Sequence, residues 1–192
     1  MKQLITFSLI LIAIIGCSQE SEDENEQISC NEANNDFKNL YTSLINLDHE
    51  NDVSMDTEIH EYSFILSKNM SVCKIGYQSY PDIKSVPYLI QLVDSASNNV
   101  LLSKSQVFSS TQTSYFAPST NTYLDSGVVY TLKRIQTDWA PYIDNTIGRY
   151  ARKQNMDFPY NNGIIKITSS NFHQNGGPVN NFAIPFIDIV FN

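Results

Sequence analysis

The sequence predicts an all-β domain: an antiparallel β-sandwich with one short N-terminal helix. Three observations carry that expectation. From about residue 59 onward apolar residues recur with period two, as where Tyr62, Phe64 and Leu66 alternate with Ser63, Ile65 and Ser67. The alternating runs are dominated by Tyr, Phe, Val, Ile and Thr, side chains that fit a pleated, half-buried surface. Strand runs follow one another at roughly ten-residue spacing, with turn clusters and no helical windows between them. The chain of 192 residues is one domain of ordinary size with a leader and a tail, and such a domain can bury a core without help from metals.

The order of elements begins with an address. Met1-Lys2-Gln3 gives a positive start, and Leu4 to Ile15 is an almost unbroken apolar run, too short to span a bilayer as a helix. The run ends Ile14-Ile15-Gly16-Cys17, which resembles the bacterial lipobox. The resemblance implies a lipoprotein whose signal peptide, residues 1–16, is removed and whose Cys17 is acylated and becomes the mature N-terminus. The membrane partner would then be reached through acyl chains alone, and two or three such chains hold far more firmly than one. The plainer alternative is an ordinary cleaved signal with a chance cysteine.

Residues 17–36 differ in kind. Ser18 to Asp36 holds seven carboxylates and no Lys or Arg, a composition that favours a flexible, solvated tether. Of the formal charge of −8, most therefore belongs to the tether; residues 37–192 carry 13 acids against 11 bases. An acidic stretch behind the acylated Cys also resembles a surface-export signal of some Gram-negative lipoproteins. It implies an outer-membrane anchor facing the cell exterior, the alternative being a spacer facing the periplasm. The acidic balance argues against a nucleic-acid partner, which would need clustered Lys and Arg. With Cys17 acylated, Cys30 and Cys73 remain as an even pair in an oxidising compartment, and a disulfide between them is expected, two free thiols being the alternative.

The body, residues 37–192, opens with a helix: Phe37, Leu40, Tyr41, Leu44 and Ile45 recur at helical spacing behind Asn35 or Asp36 as a cap. Strands are then expected around Tyr62–Leu66, Ile75–Ser79 and Tyr88–Leu92. Asp94 to Asn99 reads as a hairpin turn leading into Val100–Phe108. Val128–Leu132 follows the Asp125-Ser126-Gly127 turn, and Ile147–Ala151, Ile164–Thr168 and Ile184–Phe191 complete the set. The last strand is expected to pair with an early one, because an exposed apolar edge invites aggregation.

Several pieces share a pattern: Tyr62-Ser63-Phe64, Ile75-Gly76-Tyr77, Tyr88 to Asp94, Asn99-Val100-Leu101 and Leu124 to Leu132. Over residues 60–137 the chain resembles a jelly-roll-like domain of secreted bacterial proteins. The resemblance implies an extracellular β-sandwich, carries no established activity, and assigns Gly76 and Gly127 to a bend and a turn.

Chemical signatures are sparse. His49, His60 and His173 are isolated in sequence, without HxH or HExxH spacing, so no metal site and no cofactor is expected. Asp94, Asn98 and Asn99 offer oxygens to calcium, but an Asx-rich hairpin turn accounts for them more simply. There is no G-x-S-x-G elbow and no phosphate loop. A carboxylate pair for glycoside hydrolysis can be drawn from anywhere, and Asp138, Asp144 and Asp157 are candidates.

The densest segment is 133–160, with five of the body's bases beside Trp139, Tyr142 and Tyr160. Arg134, Asp138, Trp139, Tyr142, Arg149 and Tyr160 are the candidate ligand contacts. Flat rings with Arg and Asp suit a glycan, and the same residues suit a protein interface. The structural alternative is that the rings pack one end of the sandwich while the bases pair with nearby acids. The functional expectation is a lipid-anchored binding or adhesion module holding a glycan or a protein. A glycan-degrading enzyme and an inhibitor or immunity-type lipoprotein are the alternatives.

Overall fold

The computed structural model describes residues 30–54, 57–145, 148–174 and 177–192. The signal segment, Cys17 and the tether up to residue 29 lie outside the described residues. In chain order the elements are α1 (Asp36–Leu47), β1 (Glu50–Ser54), β2 (Ile59–Leu66), β3 (Met70–Tyr77), β4 (Tyr88–Asp94), β5 (Asn99–Gln106) and β6 (Ser114–Phe116). They continue with β7 (Thr122–Leu124), β8 (Val129–Ile135), β9 (Gly148–Arg152), β10 (Tyr160–Asn161), β11 (Ile165–Gln174), β12 (Gly177–Asn180), β13 (Ile184–Pro185) and β14 (Asp188–Phe191). Single 3-10 turns occupy Pro81–Ile83 and Ala140–Tyr142.

The strands form antiparallel sheets packed together, with the one helix at the N-terminal side. The large sheet runs β10–β11–β2–β8–β4–β5, with β12 also on β11. Opposite it lies β14–β3–β6, with β7 also on β3, and β1–β9–β13 form a third, small sheet. Alternation decides what faces the core: on β2, His60, Tyr62, Phe64 and Leu66 point in, and on β8 so do Tyr130, Leu132 and Arg134. Rings knit the two layers, Phe64 lying 6.1 Å from Phe191 and Tyr77 5.1 Å from Tyr88. The last strand, β14, pairs with β3, Ile189 opposite Ile75.

The helix forms because its apolar stripe has a place to go. Phe37, Leu40, Tyr41 and Leu44 are buried, and Phe37 stacks on Tyr62 at 5.2 Å. Asn35 caps the helix, its Oδ1 accepting the Lys38 N–H at 2.9 Å. Residues 30–36, read from the sequence as the end of the tether, are fastened to the body instead. Cys30 is bonded to Cys73 with Cα atoms 5.9 Å apart, Glu32 pairs with Lys74, and Asn35 is buried. A disulfide of this kind is characteristic of extracytoplasmic domains.

Two glycines differ in purpose. Gly127 has φ +78°, which its turn requires. Gly76, expected at a bend, stands near the C-terminal end of β3 between Asp188 on β14 and Tyr115 on β6. A Cβ there would meet the Tyr115 ring at 2.3 Å. The missing side chain lets Tyr115 reach across β3, where its hydroxyl donates to Asp188 Oδ2 at 2.6 Å. The Asp94 turn is an Asx turn: Oδ1 accepts the N–H groups of Ala96 and Ser97, and these bonds hold the carboxyl below its ordinary range.

Candidate functional site

The exposed flank of α1 begins a groove. Lys38, Tyr41, Thr42 and Ile45 recur at i, i+3, i+4 and i+7 and form one wall, with Asn51 of β1 beside them. Tyr41 donates its hydroxyl to Asn51 Oδ1 at 3.1 Å, joining the helix to the small sheet. Arg149 of β9 and Phe186 form the floor of this cavity of about 400 Å³. A smaller cavity of about 50 Å³, walled by Tyr77, Tyr80 and Ser110, shares the same Arg149 and Phe186.

Arg149 is the centre of the groove. Its guanidinium carbon lies 3.6 Å from the Phe186 ring centroid and 6.0 Å from that of Tyr41. The Phe186 ring is held edge-on by Tyr41 at 4.9 Å. The Phe186 N–H donates to the Arg149 carbonyl at 2.8 Å, which locks the ring beneath the guanidinium. Among the described residues no carboxylate lies within 4 Å of this guanidinium, and its buried Nε has no acceptor. Lys38 is better satisfied, donating to the Glu32 carbonyl and lying 3.6 Å from Asp188 Oδ2. Burial pushes the Tyr41 hydroxyl up, with Arg149 opposing the shift. Tyr80 is likewise pushed up to about 12, chiefly by burial.

Of the six ligand contacts expected from the sequence, Arg149 lines the groove. Arg134 is instead fully buried, its Nη1 donating to the Thr57 and Glu58 carbonyls at 3.2 and 3.3 Å. The guanidinium lies 5.5 and 5.3 Å from the ring centroids of Tyr77 and Tyr88. Its position has the same parity as Leu132, so β8 turns it inward. Tyr160 is also interior, its hydroxyl accepting the Asp157 N–H at 2.8 Å and lying 3.3 Å from His49 Nε2. Trp139 and Tyr142 are half-buried at the 3-10 turn, and Asp138 is exposed before it. None of these three lines either cavity. Two other bases of the segment are paired, Lys133 with Glu61 and Lys153 with Asp48 and Asp157.

Sequence reading missed Lys38, Tyr41, Thr42, Asn51 and Phe186. Tyr41 belongs to the buried stripe of α1, and Lys38 and Thr42 flank it at helical spacing. The closure of Phe186 under Arg149 depends on β13 pairing with β9, which no local pattern announces. Among the described residues no group of three His, Cys, Asp or Glu side chains converges as a metal ion would require. Compared with known proteins, the chain matches no family model and no curated protein.

Proposed function

We propose that the protein is a lipid-anchored envelope module that captures an anionic ligand, a carboxylate-bearing glycan, in the Arg149 groove, and that it binds without transforming. One observation carries this reading: a guanidinium stacked on a ring, open to a cavity and, among the described residues, without a carboxylate of its own. Such a group offers its Nη atoms as a planar fork that matches a carboxylate. Thr42, Asn51 and Thr113 along the same cavity supply hydrogen-bonding groups for hydroxyls. Acylation of Cys17, and display at the outer face of the outer membrane, complete the proposal; the Cys30–Cys73 disulfide supports an extracytoplasmic setting.

The test is retention of the full chain, in detergent micelles, on an array of acidic and neutral glycans, with reducing ends assayed in the same incubation. Carboxylate-bearing glycans are expected to retain it, and Arg149→Ala to weaken retention by about tenfold or more. Release of reducing ends would replace capture by hydrolysis. Tight capture of a protein with no glycan retained would favour the inhibitor reading. Anchoring is tested separately, because Cys17→Ser should move the protein from the membrane to the soluble fraction.

A further inference from the structure

At the other end of β14 lies a second concavity, of about 500 Å³, that shares no residue with the Arg149 groove. Asn69, Ser71, Tyr123, Asp125 and Asn192 line it. Phe186 and Asn192 are six residues apart, so at most about 20 Å of extended chain separates the two places. Tyr123 is the decisive side chain. It is 72% exposed, while its strand neighbours Thr122 and Leu124 are buried. A ring left this open forgoes the burial that the other tyrosines of the sheets obtain.

The ring is exposed on a fixed frame. β7 is paired with β3, Tyr123 opposite Ser71, and Asn121 Nδ2 donates to the Tyr123 hydroxyl at 3.4 Å. Ser126 N–H donates to Asn69 Oδ1 at 2.8 Å, and Asn192 and Ser71 exchange both main-chain bonds at 2.9 and 3.2 Å. The walls are therefore held from three directions: the β2–β3 turn, the β7–β8 turn and the end of β14. At the foot, Asn192 Oδ1 is buried without a hydrogen-bond partner among the described residues. Among the described residues Asp125 is the only charged side chain that lines the concavity, and no Lys or Arg does. An anion would meet only negative charge here.

We infer that this concavity is a binding site for a neutral sugar, seated with its C–H face on the Tyr123 ring. Asp125 and Asn69 accept and donate hydrogen bonds at the hydroxyls around the rim. The site is independent of the Arg149 reading, because its ligand chemistry is opposite in charge and its lining is separate.

Affinity electrophoresis of the full chain in detergent tests this, with gels containing a mannan, a galactan, an α-glucan or a β-glucan. At least one of the four is expected to retard the protein. Tyr123→Ala should weaken that retardation by about tenfold, Asp125→Ala by a smaller factor, and Tyr123→Phe should preserve it. Arg149→Ala should leave it unchanged, which separates failure here from failure of the acidic-ligand groove. Because Tyr123 is exposed, the variants should melt with the parent, so lost retardation is not lost folding. Retardation by none of the four polymers overturns the inference, as does retardation that survives Tyr123→Ala.

Discussion

Tyr115 crosses β3 to reach Asp188 only because position 76 has no side chain, and that makes Gly76 the most constrained residue of its strand. A methyl group there would collide with the Tyr115 ring at 2.3 Å. The ring cannot swing away freely, since its hydroxyl is bonded to Asp188. Gly76→Ala is therefore expected to destabilise the fold by about 2 kcal/mol, the cost of overpacking plus a lost, partly buried hydrogen bond. Thermal melting of the variant checks this; an unchanged midpoint would mean that Tyr115 relaxes without loss. The sequence showed the glycine within an Ile-Gly-Tyr triplet but not the ring that needs it, because Tyr115 lies on another strand. Arg134 teaches the complementary lesson. Its charge drew it into the candidate site, whereas its parity with Tyr130 and Leu132 places it inside, so the periodicity outweighs the residue type.

Among the elements, those with a strong internal period were legible. The stripe of α1, the alternation of β2 and the β4–β5 hairpin with its Asx turn could all be read from the chain. β1 (Glu-Asn-Asp-Val-Ser) and β12 (Gly-Pro-Val-Asn) could not, because their pattern is polar and they exist by pairing with β9 and β11. The fastening of residues 30–36 to the body is hidden for a related reason. Acidic composition extends to Asp36, but cross-links from Cys30 and Glu32 to β3 override it. This element-scale fastening has a measurable consequence. The disulfide closes a loop with a sequence separation of 43. Removing it by Cys30→Ala with Cys73→Ala should lower stability by roughly 2–4 kcal/mol, with sheets retained by circular dichroism. Denaturant titration reads the loss; no change in midpoint would show that Glu32 and Asn35 hold the segment by themselves.

On the scale of the whole molecule, Asp188 is where the parts meet. Its Oδ2 receives the Tyr115 hydroxyl from β6 and the Asn35 amide from the helix cap, and Lys38 of the groove wall lies 3.6 Å away. Asp188 is fully buried, and that burial raises its pKa above 3.8 despite the bonds that favour the anion. Ionising it therefore costs more in the fold than in the unfolded chain. The stability linked to this group is complete below 3.8 and is lost as pH rises from 3.8 through the raised value. Asp188→Asn keeps an acceptor for Tyr115 but cannot ionise, so it escapes that loss. The melting temperature of the variant minus that of the parent should then increase as pH is raised from below 3.8 to neutrality. A difference that stays flat across the same range would mean that Lys38 fully offsets the desolvation of the carboxylate. The same comparison reports on the groove, because Lys38 loses its acidic neighbour in the variant while Arg149 is untouched. A carboxylate-bearing ligand should accordingly bind Asp188→Asn at least as tightly as the parent.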